Sequence, residues 1–334
     1  MRRMAIVVVV QIGLWLPCDA RGGSFTTVYV GSTSTTVDGL NDHGVSVGSF
    51  SNNGFSSNAF VRDTGGAITA FDVPGSTSTY GMGIDNGGLV VGYYLSGSDV
   101  HSYVRSTDGT FSIYDVPGST STWGNAINDQ GQIAGTYQLG NTLDYHGFVR
   151  AADGTLTTFD VPGASWTFAQ GISNSGQVVG YYFDGFGFHA FTRAADGTFT
   201  KFDVPGSLSS YAWGVNDSGQ IVGYSIINSY FTSSGFVFIY SGYVRDPGGT
   251  ITTFDVPGSA STVGQGINNE GQLVGNYTVG SITYGFITTV PEPSSLSLLI
   301  AGILGLVIIE GRRSRTRFSS LRAIRSIQTV RARE

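Results

Sequence analysis

The side chains that could do chemistry recur in fixed places along the chain. His101, His146 and His189 share one register, which raises the question of a metal. A zinc ion needs its ligand nitrogens at about 2 Å, and equivalent positions of separate repeats cannot converge so closely. Their expected role is a local hydrogen bond. Arg62, Arg105, Arg150, Arg193 and Arg245 each stand ten residues before the aspartate of a D-V-P-G motif, and an ion pair or a bond to a loop carbonyl is expected for them. The Asn/Asp turns at Asn41-Asp42, Asn128-Asp129 and Asn216-Asp217 offer too few carboxylates for calcium and read as Asx-type turns. No Ser-His-Asp set, paired glutamates or phosphate loop emerges. The expectation is a protein that is not an enzyme, with no cofactor and no metal.

Two aromatic features could bind a ligand. Tyr80, Trp123, Phe168 and Tyr211 occupy one slot of successive repeats, with Thr36 and Val263 in the remaining two. Flat rings at one mouth of a channel could stack on sugars; packing beneath the neighbouring loops is the competing reading. The second feature is a lengthened repeat from Ser225 to Ser241, which adds Tyr230 and Phe231 with Phe236, Phe238 and Tyr240.

The elements that must carry these residues are β-strands. Glycine is abundant, with 50 in 334 residues, and only 12% of residues are charged. The 21 phenylalanines and 17 tyrosines argue against disorder. D-V-P-G recurs at Asp72, Asp115, Asp160, Asp203 and Asp255, in steps of 43, 45, 43 and 52 residues. A second marker, a small residue, an aliphatic one and then Asn, Asp or Ser, is centred on Asn41, Asp85, Asn128, Ser173, Asn216 and Asn268. That period is blade-sized for a propeller.

Each period carries four strand signals, a to d. Strand a, with Gly or Ala at alternate positions, suits the crowded axis. Two-residue turns such as Asp108-Gly109 would place Phe60 opposite Phe71, Tyr103 opposite Tyr114, Phe148 opposite Phe159, Phe191 opposite Phe202, and Tyr243 opposite Phe254. The last period lacks a strand d, and an orphan strand, Phe25 to Val30, opens the body. Pairing the two completes six four-stranded blades and removes bare edges. The expected fold is therefore all-β, a six-bladed β-propeller closed by its N-terminal strand, with a short C-terminal hydrophobic helix.

The ends read as addresses. Residues 1–20 show an Arg2-Arg3 start, an apolar run and Ala20 as a cleavage site, a secretory signal; a lipoprotein signal using Cys18, the single cysteine, is the rival. Pro291-Glu292-Pro293 precedes an apolar run from Leu296 to Ile309, then Arg312, Arg313, Arg315 and Arg317. This run is short for a membrane span, and the arginines would face the cytoplasm. The expected divisions are 1–20, 21–289, 290–317 and a basic tail 318–334. Between residues 21 and 293, seven basic residues face 20 acids, near −13, which excludes a nucleic-acid partner.

Residues 290–317 resemble a PEP-CTERM sorting signal, on the literal Pro291-Glu292-Pro293, the apolar helix and the arginines. That resemblance implies an exosortase as partner, transient or retained inner-membrane anchoring, and a final place in the cell envelope or outside it. A tail running on to Glu334 departs from the family pattern. The repeats resemble the HAF repeat, on His189-Ala190-Phe191, its variants Asn58-Ala59-Phe60, His101-Ser102-Tyr103 and His146-Gly147-Phe148, and the flanking Phe-Asp-Val-Pro-Gly. That resemblance implies an extracellular body and brings no reaction with it. The expected function is an exported surface or matrix protein that binds exopolysaccharide or another envelope component. The alternatives are a purely structural surface protein, or a propeller hydrolase with an unrecognised site.

Overall fold

The computed structural model describes residues 25–30, 33–140, 143–232 and 235–289. The signal segment, Cys18, the Pro291–Arg317 segment with its expected helix, and the tail lie outside the described residues. Within them the chain forms 24 β-strands, and no helix is long and apolar enough to cross a membrane.

The strands follow one another as antiparallel sets of four. The first set is Ser34–Leu40, Ser46–Ser51, Ser57–Arg62 and Ile68–Phe71. Strand a of the later sets is Ser78–Ile84, Ser119–Ile127, Trp166–Ile172, Ser209–Val215 and Ser261–Ile267. These strands lie innermost; each packs against the next, and the last packs against the first. The small residues expected there are used for this approach: a Cβ on Gly171 would strike the Trp213 carbonyl oxygen of the following set. Ser261–Ile267 and its two partners gain their fourth strand from the other end of the chain, where Thr26–Val28 pairs with Ile282–Thr289.

Apolar clusters sit between successive sets rather than within one. Val28 and Val30 from the N-terminal strand join Val37, Phe50 and Phe60 of the first set and Val274 of the last. The valine of every D-V-P-G motif is buried, and its N–H donates to a Thr or Ser hydroxyl six residues on, as Val116 does to Thr122 at 3.1 Å.

The expected facing of aromatic pairs across each c–d hairpin is corrected by the register. Tyr103 lies opposite Ile113, and Tyr114 opposite Ser102. The turn has three residues, not two: Ser106 N–H donates to the Thr110 carbonyl and Gly109 N–H to Ser106, with Gly109 at φ 89°. A left-handed glycine closing such a loop adds one residue, and the one-step slip turns the two rings to opposite faces of the sheet. The aromatic of strand d therefore meets the next set. Phe71 is edge-on to Tyr103 at 6.3 Å, Phe159 to Phe191 at 6.4 Å, Phe202 to Tyr243 at 6.5 Å and Phe254 to Phe286 at 6.3 Å.

The same slip supplies the repeated arginines with a partner. Arg105, Arg150, Arg193 and Arg245 lie over Phe71, Tyr114, Phe159 and Phe202 of the preceding set, at 4.7–4.9 Å from the ring centres. Each such cation–π contact is worth about 0.5–1 kcal/mol at an exposed site.

Candidate functional site

One kink repeated in every innermost strand builds the inner wall. Near the end of strand a the a–b pairing skips one residue in each set: Asp38, Met82, Asn125, Gln170, Trp213 and Gln265. A β-bulge of this kind bends the strand and re-aims a side chain. The strand b residue beneath it must be glycine, since a Cβ on Gly180 would run into the Phe168 carbonyl oxygen. Five of the skipped residues, all but Met82, line a chamber of about 80 Å³.

Below the chamber runs an aliphatic ring of Leu40, Ile84, Ile127, Ile172, Val215 and Ile267, and below that a polar rim around a second cavity of about 70 Å³. At the rim Asp42, Asn86, Asp129, Asn174, Asp217 and Asn269 form a closed circuit. Each residue's backbone N–H donates to the side-chain oxygen of the next, at 2.7–2.9 Å, and Asn269 returns to Asp42. Each asparagine amide also donates to the carboxylates on both sides, at 2.8–3.0 Å. Burial acts to raise the Asp42 carboxyl, but the bonds from Asn86 and Asn269 and the nearby His43 outweigh it and leave Asp42 below its ordinary value.

Asp38 has the opposite surroundings. Burial pushes its carboxyl up to about 7, against hydrogen bonds from Thr36 and Asn276. Thr36 Oγ1 donates to it at 2.8 Å. No cation neutralises it, so loss of water decides the shift. Nearby in the chamber Trp213 Nε1 and Gln265 Oε1 are buried without a hydrogen-bond partner; the Trp213 N–H comes near the Tyr224 hydroxyl without bonding geometry. Burial raises the hydroxyls of Tyr93 and Tyr181, with neighbouring tyrosines adding to each and Asp38 to Tyr93, so both stay neutral donors.

The aromatic slot lies two residues before the bulge. Tyr80 stacks on Tyr93, Phe168 on Tyr181 and Tyr211 on Tyr224, each pair at 4.7 Å, so one face of each ring is already covered. Trp123, opposite Thr136, leans on Tyr145 at 5.9 Å. Tyr230 and Phe231 are elsewhere, on a hairpin of Ile221–Thr232 and Gly235–Arg245. They are 50% and 73% exposed, and Phe231 packs edge-on to Phe236 at 5.2 Å.

The three register histidines bond the D-V-P-G aspartates: His101 to Asp115 at 2.8 Å, His146 to Asp160 at 2.9 Å and His189 to Asp203 at 2.9 Å. Among the described residues no cluster of three or more His, Cys, Asp or Glu could hold a metal ion. Sequence reasoning missed Asp38, Gln170, Trp213 and Gln265. The available signal was a residue of changing type between two small ones, or for Asp38 between Val37 and Gly39, in a chain where most positions repeat.

No family model matches the chain, and no curated protein matches it in sequence. Solved structures do resemble it. TolB from Acinetobacter baumannii matches with TM-score 0.50 at 10% identity, over 77% of this chain and 65% of that one. Virginiamycin B lyase from Staphylococcus aureus gives TM-score 0.48 at 12% identity, over 80% and 100%. A gluconolactonase from Xanthomonas campestris gives 0.48 at 14%, over 79% and 89%. At such identities the likeness speaks for the fold alone, a propeller-like all-β one. Virginiamycin B lyase and the gluconolactonase are enzymes, against the expectation that the chain is not one; the likeness itself carries the fold and no activity.

Proposed function

We propose that the chain is an exported six-bladed propeller enzyme of the hydrolase kind, closed by its N-terminal strand, with Asp38 as the acid–base group of its channel. The supporting observation is Asp38 itself, a carboxyl without a counter-ion, poised near neutrality in a polar chamber. A group with pKa near the working pH serves best in proton transfer. As a base, Asp38 takes a proton from water while the water oxygen attacks the substrate; as an acid it returns that proton to the departing oxygen. Tyr93, near enough for Asp38 to raise its hydroxyl, supplies a neutral donor.

The test is a panel of chromogenic esters, lactones and glycosides run with wild type and Asp38→Asn. A fall in kcat of about 10²–10⁴-fold is expected for the variant. Silence across the panel, or unchanged turnover in Asp38→Asn, overturns the reading.

The HAF-like repeats and the Pro291-Glu292-Pro293 segment support delivery to the envelope by an exosortase, through transient or retained inner-membrane anchoring. Mass spectrometry of the mature C-terminus tests it, with loss of everything after the Pro-Glu-Pro stretch as the expected result. A second reading, attachment to exopolysaccharide or another envelope component, draws on the exposed rings of Tyr230, Phe231 and Phe236. A polysaccharide pull-down with Phe231→Ser tests that separately.

A further inference from the structure

The formal charges along the channel are all of one sign. Asp38 lies in the chamber, and Asp42, Asp85, Asp129 and Asp217 lie at the rim; no Lys, Arg or His lines either cavity. A narrow passage lined by one sign of charge, with low-dielectric walls, focuses its field and concentrates ions of the other sign. The carboxylates of the rim circuit are taken up by amide and backbone donors. Asp38 has a hydroxyl and an amide beside it but no cation.

Gln265 also lines the chamber, and its Oε1 is buried without a donor. Trp213 borders the same space, with Tyr224 at 6.2 Å and Tyr181 at 6.3 Å from it, centre to centre. An anion entering here would meet the Asp38 carboxylate and no Lys, Arg or His to offset it. A neutral polyol would leave the Asp38 charge uncompensated. A cation compensates that charge, and an aromatic face adds cation–π attraction, the usual means of holding quaternary ammonium groups. By the measure in which about 10–15 Å³ holds one water, the chamber of about 80 Å³ has room for a compact head group.

We propose that the chamber receives the head of a methylated ammonium compound, seated between Asp38 and Trp213 with Gln265 at its edge. This rests on the reading of the channel as the working site and names its substrate class: a molecule whose reacting bond hangs from an ammonium head.

The test is calorimetric titration of the full-length protein with choline and with 3,3-dimethylbutan-1-ol, which has the same shape and no charge. Choline should bind at least tenfold tighter than the alcohol, and Asp38→Asn should bring it down to the alcohol's level. Gln265→Glu, which adds a second carboxylate, should strengthen choline several-fold and leave the alcohol unmoved; this variant carries the test if Asp38→Asn does not fold. Equal binding of the two probes, no choline binding at tens of millimolar, or choline affinity indifferent to both substitutions overturns the proposal. The hydrolase reading fails on its own terms if choline binds as expected while the chromogenic panel and an ester of choline both stay intact.

Discussion

At the rim, carboxylate and amide alternate around the axis, and each charge is met by donors from both neighbours. Four residues earlier along the same six strands, the bulged positions hold Asp38, Met82, Asn125, Gln170, Trp213 and Gln265, with no alternation. Two of these bury polar atoms that nothing satisfies. At each level the backbone repeats from set to set, so the contrast lies in the side chains each level carries. A circuit that completes itself contributes to folding, whereas the bulged level leaves polar atoms unpaired and is where we place the proposed chemistry.

That comparison is most easily broken at the rim. Asn174→Asp removes two amide donors and sets a carboxylate between Asp129 and Asp217. Bonds to charged groups are worth about 1.5–3 kcal/mol each, but these are exposed, so a loss of about 2–3 kcal/mol in urea unfolding at pH 7 is expected. A loss under about 0.5 kcal/mol would mean the circuit is ornamental.

The chamber should respond in the opposite direction. The folded-state pKa of Asp38 is raised, so its contribution to stability is full below the unfolded value near 3.8 and is lost as pH rises through about 7. Asp38→Asn should therefore be more stable than wild type above pH 7, by about 1–2 kcal/mol after discounting for partial exposure, while losing activity. Thermal melts from pH 4 to 9 read this as a flattened profile. Asp42 behaves in reverse: its depressed pKa gives stability that is present above pH 4 and lost as pH falls further. Wild type should thus be most stable in mildly acidic buffer; a maximum above pH 8 would contradict the Asp38 assignment, and a maximum below pH 3 the Asp42 one.

Smaller effects sharpen the same contrast between self-completing and open parts. Arg105→Ala removes a cation from Phe71 and should cost about 0.5–1 kcal/mol. At the chain's own seam, Val28 packs with Phe60 in the cluster that joins the last set to the first. Val28 stands opposite Gly285 as Phe71 stands opposite Ala59, so the equivalent strand d position before Arg62 is aliphatic, and Arg62→Ala should cost less. Equal losses would argue that the guanidinium acts through its stem alone. Smallest of all, Phe231→Ser on the exposed hairpin should shift stability by less than about 0.5 kcal/mol and show only in binding or self-association assays.

The repetition made much of this architecture legible. The spacing of D-V-P-G located the sets of strands, the small residues of strand a placed it innermost, and the orphan Phe25–Val30 segment pointed to its pairing with Ile282–Thr289. The hairpin register was misread because Asp108-Gly109 looks like a complete two-residue turn. In the fold it ends a three-residue loop, and the extra residue, present in the preceding hairpin too, turns Phe71 away from its own partner strand to meet Tyr103 and Arg105 of the next set. The chamber was not legible for a different reason. A bulge is a property of two strands together, and nothing at Asp38 or Trp213 alone announces that the pairing will skip it.

The rim also limits how a protein like this could be lengthened or shortened. An acid–amide alternation closes only around an even number of positions, as it does where Asn269 meets Asp42. Gaining or losing a single repeat would make two like groups adjacent, either two carboxylates in repulsion or two amides lacking an anion. Duplication by pairs is the route that preserves parity, and an ancestor of two-repeat modules would have carried one acid and one amide apiece.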